Sequence, residues 1–267
     1  GPWVNDVVSY TYNNRLRSAM TVGLPSGSVL STSYGYDAIK RLTNITSWAG
    51  TFVYGYSNNP ATEVLKITLP NSAYITNTYD NVARELSTTL YNSSATALNT
   101  HTYLYDKAGQ RTNQTYTTGN YDRYTYDGIG QLLTASGYES GGTARSQEQL
   151  KYKYDAAGNL SVRTNNALVQ TFNADTLNQL STITRTGTLT VSGTASSTAV
   201  TNVTVNTTNA SIYADATFAA TNFTPSDGYN TYTAIAQDTY GRKATNTITV
   251  YLPATETYKY DANGNLT

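Results

Sequence analysis

Apolar and polar residues alternate along most of the chain with a period of two. Tyr34 and Tyr36, two apart, share one face of an extended segment. The runs Leu42-Thr-Asn-Ile-Thr46, Leu160-Ser-Val-Arg-Thr164 and Leu180-Ser-Thr-Ile-Thr184 read the same way. A period of two is that of a β-strand, and these runs are rich in the β-branched residues that strands favour. The pattern predicts many short strands separated by turns.

The strands recur with a fixed accompaniment. Tyr124–Leu132 (YTYDGIGQL), Tyr152–Leu160 (YKYDAAGNL) and Tyr258–Leu266 (YKYDANGNL) repeat one motif, and Tyr103–Arg111 (YLYDKAGQR) is a worn copy. With the Asp as marker, clear copies fall at Asp37, Asp80, Asp106, Asp127, Asp155, Asp175 and Asp261. Weaker ones place Asn13 and Ser57 at the marker. The steps from Asn13 to Asp175 average about 23 residues, whereas the step from Asp175 to Asp261 is 86. A unit repeated at a near-constant step sets the architecture before any single residue does. One normal step removed from the long one leaves about 63 residues, the size of a small β domain.

The motif is a turn between two strands. Asp suits the first position of a type I turn, where its side chain accepts from a nearby backbone N–H. Gly suits the fourth, where positive φ costs it little. The pair therefore predicts a β-hairpin with a bulge. The relevant residues are Tyr36 with Asp37, Asp80, Tyr105 with Asp106 and Gly109, and Tyr126 with Asp127 and Gly130. Tyr154 with Asp155 and Gly158, Asp175, and Tyr260 with Asp261 and Gly264 complete the set. Asn178 stands where Gly is expected, and Asn tolerates left-handed geometry. Asp37-Ala-Ile-Lys40 and Asp80-Asn-Val-Ala83 make weaker turns by this logic, and Ser57-Asn-Asn-Pro60 must turn differently.

These residues closely resemble the YD repeat of the Rhs/YD-repeat family, from about Tyr10 to Leu180 and again from Tyr258 to Thr267. The family includes bacterial Rhs toxins, wall-associated toxin proteins, Tc toxin shell subunits and animal teneurins. The resemblance implies a long sheet of hairpins that spirals into a hollow shell, enclosing a cargo polypeptide in toxins. Two features of the family have no counterpart in the sequence: an Asp-Pro-x-Gly autoproteolytic segment and a toxin domain beyond Thr267. Gly1-Pro2 has the form of a residual tag scar and the chain closes inside a repeat, so the reading expects a piece of a larger protein.

From about Arg185 to Leu252 the character changes: Tyr-Asp copies stop, and Thr, Val and Ala dominate. Alternating runs begin at Leu189, Val203, Ala216, Tyr232 and Asn246. Turn residues separate them at Ser192-Gly193, Asn206–Asn209, Pro225–Gly228 and Gly241-Arg242. Short strands at this spacing suggest a β-sandwich. The stretch from Gly228 to Val250 resembles the end of a bacterial immunoglobulin-like domain. The expected fold is all-β: a YD-repeat hairpin array over 1–184, an immunoglobulin-like insert over 185–254 and a truncated final repeat over 255–267.

Composition narrows the chemistry. The net charge is zero and no basic run is present, which argues against a nucleic-acid partner. No stretch approaches the apolar length of a membrane-spanning helix. Zero Cys excludes disulfides and thiolate chemistry. Tyr supplies 25 of the 31 aromatics, an apolar ring with a polar tip, which suits a partly wet wall. Low charge with abundant Thr, Ser, Asn and Tyr suits a secreted or cell-surface protein. Sequons at Asn44, Asn113, Asn202 and Asn222 are expected by chance in so Asn/Thr-rich a chain.

No catalytic, cofactor or metal site is readable. His101, the only His, reads as an inter-repeat loop residue. The Asp residues recur one per hairpin rather than in pairs, and the Asp261 loop fails the calcium spacing. The tyrosines read as cross-strand packing in preference to a sugar platform, and Trp3 and Trp48 are too few to make one. The expected function is a non-enzymatic scaffold, part of a YD-repeat shell holding a polypeptide. The alternative is a module that binds a cell-surface protein or glycan. Free sheet edges at the ends of the array predict edge-to-edge self-association. If Asp155 caps its turn, Asp155→Ala lowers the thermal midpoint; an unchanged midpoint contradicts the capping role.

Overall fold

The computed structural model describes residues 7–57, 62–196 and 199–267, so all but Ser57 of the expected turn at 57–60 lies outside the described residues. The chain forms two compact units, Gly1–Leu104 and Tyr105–Thr267. Hairpins account for seventeen strands.

The first unit is a meander of β1 (Val7–Asn13), β2 (Leu16–Gly23), β3 (Val29–Tyr36), β4 (Leu42–Ser47), β5 (Gly50–Tyr56), β6 (Val64–Thr68), β7 (Tyr74–Tyr79), β8 (Glu85–Tyr91) and β9 (Ala97–Tyr105). Each strand is antiparallel to the next. The second continues the pattern with β10 (Arg111–Tyr116), β11 (Tyr121–Tyr126), β12 (Leu132–Tyr138), β13 (Ala144–Tyr154), β14 (Leu160–Asn165), β15 (Leu168–Ala174) and β16 (Leu180–Gly187).

Turn chemistry explains the hairpins. At Asp155 the backbone N–H donates to Asn159 O (2.9 Å) and Gly158 N–H donates back to Asp155 O (3.1 Å). One carboxylate oxygen, Oδ1, accepts from the N–H groups of Ala157 and Asn159, both at 2.9 Å. The other accepts from the Asn159 side chain. Gly158 has φ +86°, which the fourth position demands. The strand register shifts at Tyr154, the bulge such a turn produces. The same backbone pair closes the turns at Asp37, Asp80, Asp106, Asp127, Asp175 and Asp261.

Two of these turns differ from the sequence expectation in an instructive way. Lys40 and Ala83 take positive φ (69° and 64°) without being glycine, and the turns are complete. In both, the fifth residue is an arginine whose Nε donates to the second carboxylate oxygen at 2.7 Å. A charge-assisted bond of this kind offsets part of the backbone strain. Asn13 ends β1 and opens a tighter loop, with Asn14 and Arg15 both at positive φ. His101 lies within β9 opposite Thr88, not in a loop, because β9 begins at Ala97, ahead of the Tyr103-Leu-Tyr105 pattern.

Six tyrosines bind the neighbouring hairpin, five of them directly before an Asp turn, whereas the turn at Asp175 is preceded by Ala174. The hydroxyls of Tyr36, Tyr56 and Tyr79 donate to the carbonyls of Arg17, Leu42 and Val64. Those of Tyr126, Tyr154 and Tyr260 donate to Arg111, Leu132 and Leu180. Distances run from 2.7 Å for Tyr56 to 3.2 Å for Tyr79. Each acceptor lies at the start of a strand that follows an earlier turn. At the other ends of the hairpins, Tyr74 stacks on Tyr91 and Tyr121 on Tyr138, directly across from each other.

The hairpins have no dry core among the described residues. Their buried side chains are isolated: Ala73, Thr89, Tyr103 and Arg145. The largest fully buried side chains among the described residues, Val203 and Val205, belong to the insert. That insert is a sandwich of β17 (Leu189–Thr194), β18 (Val200–Val205), β19 (Thr208–Asn209), β20 (Ser211–Ile212), β21 (Thr217–Phe223), β22 (Gly228–Asp238) and β23 (Lys243–Leu252). One sheet runs β17-β21-β20, the other β19-β18-β22-β23. Phe218, Ala220 and Tyr232 close on Val203 and Val205 between them. Ser192-Gly193 does not turn: both lie inside β17. Gly193 is required there by close packing, since a Cβ would come 2.8 Å from the Phe218 ring.

After the sandwich, β24 (Thr255–Thr257) returns to pair with β16. The insert therefore occupies the loop of a hairpin, at the end away from Asp175 and Asp261. Arg185 fixes this junction by donating to the carbonyls of Pro253, Pro225, Ser226 and Leu252.

Tyr154→Phe keeps the ring and leaves the Leu132 carbonyl without its donor, so it costs about 0.5–1.5 kcal/mol in chemical denaturation. No loss would show the bond to be idle. The capping carboxyls give a second test. Asp37 is held below its ordinary value of 3.8 first by the Arg41 side chain, Asp80 by the Arg84 N–H, and Asp155 and Asp261 by the Asn159 and Asn265 side chains. Lowered folded-state values give stability that is present above the ordinary value and lost as pH falls through the folded one. The thermal midpoint is expected to drop on acidification below about pH 4, the ordinary carboxylate range. A midpoint unchanged down to strong acid would contradict this.

Candidate functional site

The residues singled out by sequence do not converge. Asp37, Asp80, Asp106, Asp127, Asp155, Asp175 and Asp261 each open a separate turn, and their oxygens are occupied by local N–H groups. Gly109, Gly130, Gly158 and Gly264 sit at the fourth position with φ between 82° and 93°. Tyr36, Tyr126, Tyr154 and Tyr260 bond to backbone carbonyls, and Tyr105 ends β9. No group of three His, Cys, Asp or Glu side chains gathers as a metal site among the described residues.

Polar side chains do converge at Arg145, near the start of β13. Only 3% exposed, it sits where the insert meets the hairpins. One terminal nitrogen donates to Glu139 Oε1 at 2.9 Å. The other donates to Asp215 Oδ2 and Thr217 Oγ1, both at 2.8 Å. Its Nε lies 2.9 Å from Glu148 Oε2, and its guanidinium lies 4.9 Å from the centre of the Tyr213 ring. Two further bonds tie the same seat: Ser146 N–H to the Tyr213 hydroxyl, and Ala214 N–H to Glu139 Oε2. A buried guanidinium is tolerable only when paired in this way.

Beside it opens a cavity of about 580 Å³ lined by Tyr116, Asp122, Tyr124, Arg145, Glu148 and Asp215, among others. Asp122 Oδ2 accepts from the hydroxyls of Tyr116 (2.6 Å) and Tyr124 (3.2 Å). Burial, then the Asp122 carboxylate, raises both phenols, Tyr124 to about 12. They remain protonated donors at neutral pH. Burial pushes the Glu148 carboxyl up, Asp122 and Asp215 add to the rise, and Arg145 opposes it. The arrangement holds a domain against a sheet. It sets no hydroxyl nucleophile beside a neutral base.

Sequence reasoning missed Arg145 and Arg185. Arg145 reaches Asp215 across 70 positions, and Arg185 reaches Leu252 across 67, with no local periodicity at either end. The one available signal was the position of Arg185 at the start of the insert in a chain only 13% charged; Arg145, well upstream of the insert, carried none.

Comparison with known proteins bears on both parts. Residues 176–253 match the family model described as glucodextranase, domain B. No curated protein matches the chain. Among solved structures, the crystal structure of TcdB2-TccC3-Cdc42 matches with a TM-score of 0.50 and 12% identity, over 98% of this chain and 17% of that one. A Photorhabdus luminescens Tc holotoxin pore matches with a TM-score of 0.55 and 15% identity, over 98% of this chain and 14% of that one. At these identities the likeness is one of fold, and the chain spans a small part of the chains it matches. The all-β hairpin sheet expected from the Tyr-Asp repeat is the fold seen in those Tc toxin chains, and the insert is an immunoglobulin-like sandwich like domain B.

Proposed function

We propose that this chain is a non-enzymatic wall segment, part of the hairpin shell of a large secreted or cell-surface protein that encloses a polypeptide. The observation that carries the reading is the fold likeness over 98% of the chain to Tc toxin chains several times longer. The build of the hairpins supports it. They form sheets without a dry core, stitched by tyrosines whose polar tips face backbone, as suits a wall wetted on both sides. The insert in a hairpin loop leaves that wall's register intact, since β16 and β24 still pair around it.

A second reading has its own observation. Tyr229, Tyr240 and Tyr251 stand 77%, 81% and 61% exposed on the insert, and aromatic rings of this kind stack on sugars. In this reading the insert binds a glycan or a cell-surface protein, and the hairpins display it.

Cryo-electron microscopy of the full-length parent protein tests the first reading. It expects these hairpins in a continuous wall around enclosed density; hairpins standing free in solvent would overturn it. A glycan array probed with this chain separates the two. The wall reading expects background signal, whereas saturable binding abolished by Tyr240→Ala would move the function to the insert.

A further inference from the structure

The inserted sandwich lacks one strand of the immunoglobulin arrangement. In that arrangement strands A, B, E and D form one sheet, C, F and G the other, and a C′ strand adds beside C. Chain order and pairing assign β17 to B, β18 to C, β19 to C′, β20 to D, β21 to E, β22 to F and β23 to G. Among the described residues no strand fills the place of A.

The residues that precede β17 are committed elsewhere. β16 ends at Gly187, two positions before β17 begins, and is paired on both sides, with β15 and with β24. The match to the domain B family reaches back to residue 176, across β16. A stretch that counts as part of the domain in that family is here a strand of the hairpin sheet.

The missing strand leaves a slot. A cavity of about 270 Å³ opens between β17 and β23, lined by Val191, Val203, Phe218, Tyr232, Ala236 and Ile248, among others. Among the described residues β17 pairs with β21 alone and β23 with β22 alone, so both edges that flank the slot lack a strand partner there. Residues 243–249 of β23 are all exposed. The free edges select the occupant. A strand seats about 4.8 Å from its neighbour and bonds an open edge through its backbone, whereas a helix has its backbone bonds closed internally. A free edge beside an apolar slot is the geometry of strand addition, in which backbone bonds give affinity and alternate side chains fill the pocket.

We propose that the insert binds an extended polypeptide strand from another molecule in the vacant A position. The bound strand carries small or β-branched apolar residues at alternate positions facing Val191, Phe218 and Ile248. This inference stands apart from the wall reading, since it concerns the sandwich alone.

The whole chain, isotope-labelled, is titrated with a ten-residue peptide alternating valine and threonine between terminal lysines. A control peptide carries proline at two central positions. The expected result is saturable shifts of amides in β17 and β23 with the first peptide and none with the second. Ala236→Leu, which fills the slot, and Ile248→Thr, which removes apolar lining at an exposed site, each weaken binding at least about tenfold, the ratio for about 1.4 kcal/mol. Absence of saturable shifts, equal binding of the proline peptide, or binding indifferent to Ile248→Thr would each overturn the proposal.

Discussion

A phenol hydroxyl that reaches back to a backbone carbonyl of an earlier hairpin is the interaction on which the array depends. Two-stranded hairpins are marginal alone, and among the described residues these enclose no apolar core cluster. The strand ladder joins neighbours through their edges. The tyrosine adds a side-chain bond that fixes where each turn sits relative to the one before. The Asp turn makes that bond possible, because its bulge sets the register that presents the preceding Tyr to the acceptor. Turn and tyrosine therefore act as one device at Asp37, Asp80, Asp127, Asp155 and Asp261, which is why both appear together in the motif.

Much of this was legible in the sequence and some was not, for physical reasons. The Asp-x-x-Gly turn is local: donors, acceptor and left-handed residue lie within five positions. The strands of the sandwich were legible through their period of two. The tyrosine partners were not, because Tyr56 and Leu42 are 14 residues apart, Tyr154 and Leu132 are 22, and Tyr260 and Leu180 are 80, across the insert. No spacing rule covers that range. Gly193 was misread as a turn since close packing against Phe218 and positive φ demand the same residue. Arg145 was invisible because its partners come together only when the insert is seated.

The two parts solve stability differently. The hairpins use distributed hydrogen bonds and half-buried rings, whereas the sandwich uses a small apolar core around Val203 and Val205. Their junction is polar and specific, with Arg185 gathering four carbonyls and Arg145 gathering carboxylates from both sides. A guest domain held in this way interrupts neither the strand pairing nor the tyrosine link, since Tyr260 still finds Leu180 beyond it. That continuity leaves the hairpin pairing whole on both sides of the insert.

The central claim is that tyrosine hydroxyls, not a buried core, couple the hairpins. Native-state hydrogen exchange on a variant with Phe at positions 36, 56, 79, 126, 154 and 260 tests it most directly. The account predicts that hairpin amides lose their shared protection and exchange hairpin by hairpin, while amides at Val203 and Val205 keep theirs. Hairpin protection equal to that of the unsubstituted chain would contradict it.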